Sequence, residues 1–227
     1  GMTETYVNAH GGIRGRPIRF VVQDDQSSPQ VGVQIANGLV AKNVPIFLGP
    51  SLSGVCAALM PIVRDSGPTM YCYTPGVHPV PGSYVFSALI GARDLALAMV
   101  RWSRLKGWTR IAVISSTDSS GQDFERGLDT ALDAPENASV RAIDREHFAT
   151  ADLSVNAQIT RIKAANPQVV FAWTTGSPFG TLLHGIHDAG LDAPIVGGNG
   201  NMIVPQLAQY TGFLPRELYF PGVRGLA

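Results

Sequence analysis

Gln168-Val-Val-Phe-Ala-Trp173 carries five consecutive apolar residues and is followed by the polar turn Thr174-Thr-Gly-Ser177. Ile111-Ala-Val-Ile114 is a second continuously apolar run. A strand that is covered by helices on both faces has this pattern, because neither of its faces meets water. The two runs therefore predict strands of a buried parallel sheet.

Short apolar runs of this kind alternate with helical patterns along the whole chain, which is typical of the doubly wound α/β class. Ser28-Pro29 predicts a helix start, with serine as N-cap and proline at the first helical position. The predicted strands are Ile18–Gln23, Pro45–Leu48, Thr69–Tyr73, Tyr84–Phe86, Arg110–Ser115, Val140–Ile143, Gln168–Trp173, Ala193–Gly197 and Leu218–Phe220. The other predicted helices are 54–66, 92–105, 121–133, 152–165, 178–189 and 202–211, and residues 74–82 are predicted as a loop.

The alternation restarts after residue 88, which predicts two lobes. We expect an N-terminal lobe over 1–88, a second lobe over 89–221, and the start of a return to the first lobe over 222–227. The crossover falls at 84–92, with hinges near 86–91 and 219–223. A single sheet that holds all the strands is the alternative.

Composition excludes several classes of protein. The 227 residues carry 17 Lys and Arg against 17 Asp and Glu, so the net charge is zero. This balance argues against nucleic acid and anionic membranes as main partners. No apolar run approaches the roughly 18 residues of a membrane span, which predicts a soluble chain. Cys56 and Cys72 are too few for a disulfide framework or a zinc site.

Ligands of open parallel sheets bind beyond the carboxyl ends of the strands, where helix N-termini converge. The loops at these ends, here called the five strand-end loops, are rich in Ser, Thr, Gly and Asn, and Asp118 is their clear charged exception. Such loops suit a neutral polar group or a carboxylate held by hydroxyls and backbone N–H groups. Ordinary turns and helix caps are the alternative. The loops are 49–54, 73–78, 115–121, 174–177 and 197–201.

Patterns for catalysis and cofactors are weaker. Gly49-Pro-Ser-Leu-Ser53 imitates a nucleophile elbow but lacks the final glycine. His184 and His187 have the spacing of a metal-binding pair, but their one acidic neighbour, Asp188, is expected to point away from their face. Asp24-Asp25 fits a loop cap better than acid–base chemistry. A thiol with a lowered pKa at Cys56 is less favoured than a small buried residue. We therefore predict no enzyme, no catalytic residue, no metal and no cofactor.

Two segments carry a resemblance to a known family. They are Asn8-Ala-His-Gly-Gly-Ile-Arg-Gly-Arg-Pro17 and Gln23-Asp-Asp-Gln-Ser-Ser-Pro29, and Leu48–Ser53 and Gly121–Leu132 fit the same pattern. Together they resemble the type I periplasmic solute-binding proteins, and more narrowly the branched-chain amino-acid (Leu/Ile/Val) group of ABC transporters. The resemblance implies two α/β lobes that close on a small solute, an ABC permease as partner, and a periplasmic location.

The resemblance also implies roles for residues of the strand-end loops. Ser53 matches the hydroxyl that receives the solute carboxylate, and Val77 stands where a threonine binds the ammonium. Asn199 stands where a glutamate pairs with the amino group, and Ser120 and Gly176 or Ser177 stand where aromatic residues are common. The full set of expected ligand-binding residues is Ser51, Ser53, Tyr73, Thr74, Gly76, Val77, Asp118, Ser120, Gly176, Ser177 and Asn199.

These departures from the family pattern predict the kind of solute. An ammonium group in a closed cleft needs a compensating charge, because a desolvated unpaired charge costs several kcal/mol. Asn199 and Val77 supply none, and Asp118 is the remaining source. We therefore expect a solute with a carboxylate or an amide and no free ammonium, such as an aromatic or aliphatic acid.

The family also predicts an incomplete first lobe, because its members begin with a strand before the helix that ends at Gly11 and continue past the last strand here. We expect bare apolar surface on this lobe and a homodimer formed through it. A misassigned gene start or a natural fragment would explain the length and the missing signal peptide. A cytoplasmic ligand-sensing regulator of the same fold and a fragment that binds nothing are the alternative functions.

Overall fold

The computed structural model describes residues 1–74, 76–87 and 90–222. Its helices are α1 (Met2–Ala9), α2 (Pro29–Ala41), α3 (Ser53–Val63), α4 (Ala92–Leu105), α5 (Ser119–Leu132), α6 (Asn156–Ala165), α7 (Ser177–Asp188) and α8 (Val204–Ala208). Its strands are β1 (Ile46–Leu48), β2 (Thr69–Cys72), β3 (Val85–Ser87), β4 (Arg110–Ser116), β5 (Arg141–Phe148), β6 (Val169–Trp173), β7 (Ile195–Gly197) and β8 (Leu218–Tyr219). Two 3-10 turns lie at Pro135–Asn137 and Asn199–Asn201.

The strands form two separate parallel sheets, so the single-sheet alternative is wrong. The first sheet has the order β1-β2-β3, and the second has the order β5-β4-β6-β7-β8. The break between the sheets falls after Ser87, within the predicted crossover. The lobe boundaries themselves stay a prediction, and residues 88, 89 and 223–227 lie outside the described residues.

The five-stranded sheet is buried on both faces, because alternate residues of its strands enter two different cores. Val169, Phe171 and Trp173 of β6 pack with α4 and α5. Val170 and Ala172 pack on the opposite face with α6 and α7. The prediction that the apolar runs form doubly covered parallel strands is confirmed for this sheet.

The three-stranded sheet is buried on one face only. Met70 and Cys72 of β2 point into a core that α2 and α3 complete, together with Val55, Leu59 and Val63 of α3. On the other face, Leu48, Tyr71 and Phe86 lie side by side in the register of the three strands and remain exposed. The expected bare apolar surface on the first lobe is therefore present.

Ser28 caps α2 as predicted, since its hydroxyl accepts a hydrogen bond from the amide of Val31 at 3.4 Å and Pro29 opens the helix. The predicted strand Ile18–Gln23 is wrong. This segment has no regular secondary structure and pairs with no strand among the described residues, and Val21 and Val22 are exposed. Ile18 is instead held by Asn8, whose amide group makes reciprocal hydrogen bonds with the Ile18 backbone.

The two cysteines form a disulfide, with Cα atoms 6.3 Å apart. The bond joins Cys56 of α3 to Cys72 of β2 and is buried in the first core. The hypothesis of a reactive Cys56 thiol is therefore wrong for this paired form, although the prediction of a buried position is confirmed. Across the described residues, no helix is both long and apolar enough to cross a bilayer.

Candidate functional site

The start of α3 carries the hydroxyl of Ser53, which the sequence analysis matched to the group that receives the solute carboxylate. Ser53 is the first residue of α3 and is buried, and its Oγ lies 2.5 Å from Oγ1 of Thr74, which follows β2. The amide of Gly76 donates to Thr74 Oγ1 at 3.4 Å. A Cβ atom at Gly76 would lie 2.6 Å from Ser53 Oγ, so only glycine lets the loop backbone approach this hydroxyl so closely.

For three other predicted residues of the first lobe, the structure gives no hydrogen bond to this pair among the described residues. Ser51 is exposed, and the ring of Tyr73 packs edge-on against Tyr71 on the uncovered face of the sheet. The side chain of Val77 is buried in the core of the first lobe. The structure therefore brings together Ser53, Thr74 and Gly76 on this side.

Asp118 caps α5. Its Oδ1 accepts hydrogen bonds from the amide of Gly121 at 3.0 Å and from the hydroxyl of Ser116 at 2.8 Å. A Cβ atom at Gly121 would lie 1.7 Å from the carbonyl oxygen of Ser116, so this first turn requires glycine. In the sequence analysis, Asp118 was the remaining source of charge for an ammonium group. Its carboxylate thus holds the start of the helix.

Ser120 is buried in the first turn of α5 and connects it to the end of β6. Its Oγ accepts a hydrogen bond from Nε1 of Trp173 at 3.2 Å. The indole ring of Trp173 stacks on Phe124, with ring centroids 4.2 Å apart. An aromatic residue therefore reaches the strand-end face from β6, although Ser120 itself stands where the family often has one.

The two remaining loops of the second lobe are joined by Asn201, which is fully buried. Its Oδ1 accepts from the amide of Gly176 at 3.2 Å, and its Nδ2 donates to the carbonyl of Thr174 at 2.7 Å. Gly176 adopts φ +82° before α7, so the turn favours glycine. Ser177 is exposed and Asn199 is partly buried.

The sequence analysis placed Asn201 and His78 in the strand-end loops but did not name them, Trp173 or Asp123 as site residues. Asn201 lies two residues after a candidate that was named, and its buried amide could be found only from the pairing of its loop with β6. His78 Nε2 and Asp123 Oδ1 lie 2.7 Å apart and join the first lobe to α5. This contact depends on how the two lobes meet, which no local pattern reveals.

The lobes meet directly at the helix starts. A Cβ atom at Gly76 would lie 3.7 Å from Cα of Ser120, and one at Gly54 would lie 3.9 Å from Oγ of Ser119. The starts of α3 and α5 therefore face each other with hydroxyl groups on both sides. Two cavities of about 570 and 310 Å³ lie elsewhere, one beside α7 around His184 and one beneath Trp102 and Tyr219.

The carboxyl groups with shifted pKa values lie away from this juxtaposition. Hydrogen bonds from Arg64, Arg161 and His187 lower the pKa values of Asp65, Glu146 and Asp188, respectively. The hydrogen bond to Glu217 raises the pKa of Tyr219. Asp188 pairs with His184 at 2.9 Å and with His187 at 3.2 Å, so the expectation that it points away from these histidines is wrong. Within the described residues, no group of three His, Cys, Asp or Glu side chains has the geometry of a metal site.

A family model described as periplasmic binding protein matches residues 5–213. The chain belongs to the periplasmic binding protein family. Among relatives of this family, the Leu/Ile/Val-binding protein BraC3 of Rhizobium johnstonii is 26% identical over 199 residues, which cover 86% of this chain and 53% of the relative. The chain therefore spans about half the length of the curated relatives that it matches.

Solved structures of the type I fold superpose on this periplasmic binding protein. The substrate-binding protein LivJ of Streptococcus pneumoniae, in complex with isoleucine, gives a TM-score of 0.81 at 18% identity and covers 100% of this chain and 66% of its own. A solute-binding protein of R. palustris in complex with benzoate gives 0.74 at 20% identity, with 86% and 55% covered. The predicted family and fold class are confirmed.

Proposed function

We propose that this chain is the solute-binding component of an ABC transporter and holds a small carboxylate- or amide-containing solute between its lobes without transforming it. The observation that carries the proposal is the juxtaposition of two helix N-termini, those of α3 and α5, with Ser53, Thr74 and Ser120 between them. Membership of a family of binding proteins supports the same function.

The two helix starts differ in what they can offer to a solute. The N-cap of α5 is Asp118, whose carboxylate already satisfies the Gly121 amide. The N-cap of α3 is Leu52, which makes no side-chain capping hydrogen bond. The first backbone N–H groups of a helix bind anions readily when no cap uses them. The solute carboxylate therefore belongs at α3, beside Ser53.

The same groups argue against a solute with a free ammonium. Asp118 is the acidic side chain of the five strand-end loops, and its Oδ1 already accepts the hydrogen bonds of Ser116 and Gly121. Asp123 lies on α5 beyond these loops and is paired with His78. An ammonium group without a partner carboxylate would be buried at a cost of several kcal/mol. Because the benzoate complex and the isoleucine complex share this fold, the fold accommodates either kind of solute. The residues at the helix starts favour the acid.

A matched pair of solutes tests this proposal. 4-Methylpentanoate has the carbon skeleton of leucine without its amino group, and benzoate provides an aromatic acid. We expect calorimetry to give a Kd at least tenfold lower for 4-methylpentanoate than for leucine. Tighter binding of leucine would overturn the predicted solute class, and no heat with any of the three would favour a chain that binds nothing.

The variant Ser53→Ala tests the placement of the carboxylate. Loss of the hydroxyl beside the α3 N-terminus should weaken acid binding at least tenfold. Ser66→Ala removes an exposed hydroxyl from the turn after α3 and serves as the matched control. Equal affinities of the two variants would contradict the assignment of Ser53.

A periplasmic location fits the Cys56–Cys72 disulfide, because such bonds persist in oxidising compartments and are rare in the cytosol. This bond favours transport over the cytoplasmic sensor. Both preparations are unfolded without a reductant and treated with a thiol-alkylating reagent. Cys56 and Cys72 should not react in protein exported to the periplasm, and they should react in protein kept in the cytosol. Reaction of both preparations would remove this support. On the basis of this location and of the family, we propose an ABC permease as the partner.

The uncovered face of the first sheet fits a second copy of this chain. Leu48, Tyr71 and Phe86 form an uncharged row, so two such rows can meet without burying an unpaired charge. Light scattering should give a dimer mass for the native chain and a monomer mass for the double variant Tyr71→Ser, Phe86→Ser. A native monomer at all concentrations would contradict the dimer.

A further inference from the structure

His78 of the first lobe and Asp123 of the second are 45 positions apart in the sequence and form a polar contact between the lobes. His78, in the loop after β2, lies with its Nε2 2.7 Å from Oδ1 of Asp123 on α5. His78 is two residues beyond Gly76, and Asp123 lies three residues, or about one helical turn, beyond Ser120. The contact therefore flanks the place where Gly76 and Ser120 approach each other.

The two partners differ strongly in exposure. The side chain of Asp123 is 6% exposed and that of His78 is 60% exposed. A buried carboxylate is costly unless it is paired and hydrogen-bonded. Besides His78, the described partner of Asp123 is Arg126 on the same helix, at a longer 3.3 Å, and Oδ2 of Asp123 has no hydrogen-bond partner within the described residues. Separation of the lobes would thus break the shorter of these hydrogen bonds, the one to His78, and leave the buried Asp123 carboxylate with the longer one to Arg126.

We propose that His78 and Asp123 form an interlobe latch, which holds the loop after β2 against α5. The latch consists of protein groups alone, so it goes beyond the proposed function and needs no solute to form. A contact that exists only when the lobes meet shifts the population toward the form in which they meet. The apparent affinity for a solute that binds one form depends on the fraction of that form.

The distance between the lobes is the direct readout. Nitroxide labels at Asn37→Cys on α2 and Ala164→Cys on α6 occupy exposed sites on opposite lobes, and the buried native disulfide leaves both new thiols selectively reactive. Double electron–electron resonance should give one main short distance for the otherwise native chain. His78→Ala and Asp123→Asn should each shift the distribution to longer distances, and the double variant should match the single ones.

Three controls separate a latch from a general structural effect. His184→Ala removes a histidine that pairs with Asp188 at 2.9 Å within α7, and the distance should not change. Arg126→Gln removes a partner of Asp123 on its own helix and should leave the distance short. His78→Gln keeps a side-chain donor and should restore the short distance.

Because His78 is exposed, its variants should fold even if Asp123→Asn does not, and circular dichroism checks this. An unchanged distance in His78→Ala would overturn the latch. So would a longer distance in His184→Ala or Arg126→Gln, or additive effects in the double variant. None of these outcomes bears on Ser53 or on the choice of solute, so failure of the latch is distinguishable from failure of the proposed function.

Discussion

The second lobe buries both faces of its sheet, whereas the first lobe buries one. In the second, β4 and β6 lie in the middle of five strands, and helices cover them on either side. In the first, three short strands pack on α2 and α3 alone, and a disulfide fastens that single layer. The difference indicates that the second lobe is stabilised by two cores, while the first has a single core to which a covalent bond is added.

The largest expected effect is the loss of a phenylalanine ring from the second sheet, and the loss of one from the first sheet is its comparison. Phe171→Ala removes a fully buried ring from β6 and should lower the free energy of unfolding by about 3–5 kcal/mol. Phe86→Ala removes a ring that is 48% exposed and should cost about 1 kcal/mol or less. Urea unfolding of the two variants measures both values. Equal losses would mean that the outer face of the first sheet is as covered as the core of the second.

Loss of the disulfide comes next in size. Cys56 and Cys72 are 16 residues apart, and closing a loop of about 15 residues stabilises a fold by about 3 kcal/mol in the chain-entropy account. The double variant Cys56→Ala, Cys72→Ala should therefore destabilise the first lobe. Hydrogen exchange followed by mass spectrometry should show faster exchange in α2 and α3, with β4 and β6 unchanged. Equal acceleration in both lobes would show that they unfold as one unit.

Two helix caps give a smaller contrast. Asp118→Ala removes the acceptor for two hydrogen bonds at the start of α5 and should cost about 1 kcal/mol, within the usual range of 0.5–2. Ser28→Ala removes a long capping hydrogen bond of 3.4 Å from the Val31 amide and an exposed one of 3.1 Å to Gln30 Oε1, and it should cost less. Thermal unfolding measures both, and a greater loss for Ser28→Ala would reverse the ranking.

Asp118→Ala also distinguishes a cap from a ligand contact. A residue that only holds the helix start should lower stability and leave the heat of acid binding unchanged under conditions where the variant is folded. A loss of acid binding that exceeds the loss of stability would place Asp118 in the binding site.

The sequence predicted best those strands whose burial on both faces requires a continuous run of apolar residues. The runs at β4 and β6 are apolar throughout because both of their faces are covered. Ile18–Gln23 also contains a short apolar run, yet Phe20, Val21 and Val22 lie exposed, since a strand also requires a neighbour to bond with. Composition records the tendency of a segment and carries no information about its neighbour.

The candidate site divides in the same way. The strand-end loops could be located because strand ends and helix starts follow from periodicity, and Ser53, Thr74 and Ser120 do come together. His78 and Asp123 could not be paired, because their contact depends on the approach of two lobes. The Cys56–Cys72 bond was missed for a similar reason, since a separation of 16 residues does not fix a distance in space.

The smallest expected effect concerns two surface ion pairs. Arg161 holds Glu146 through two hydrogen bonds of 2.6 Å each, and these lower the pKa of Glu146 from its ordinary value of 4.5. A folded-state pKa below the unfolded one means that the unfolded chain binds more protons, so stability rises with pH across this range. The contribution is complete above the unfolded pKa and is lost as the pH falls through the folded one.

Glu146→Gln should therefore flatten the fall in stability below about pH 5, where an unfolded glutamate begins to take up its proton. Asp65→Asn tests the corresponding pair in the first lobe, where Arg64 lowers the pKa of Asp65 but both side chains are more than half exposed. Glu146 is 13% exposed, and water screens an exposed pair more strongly. Urea unfolding between pH 3 and pH 7 should thus change more for Glu146→Gln than for Asp65→Asn. The reverse order would mean that the first lobe shelters its surface better than its exposed sheet face indicates.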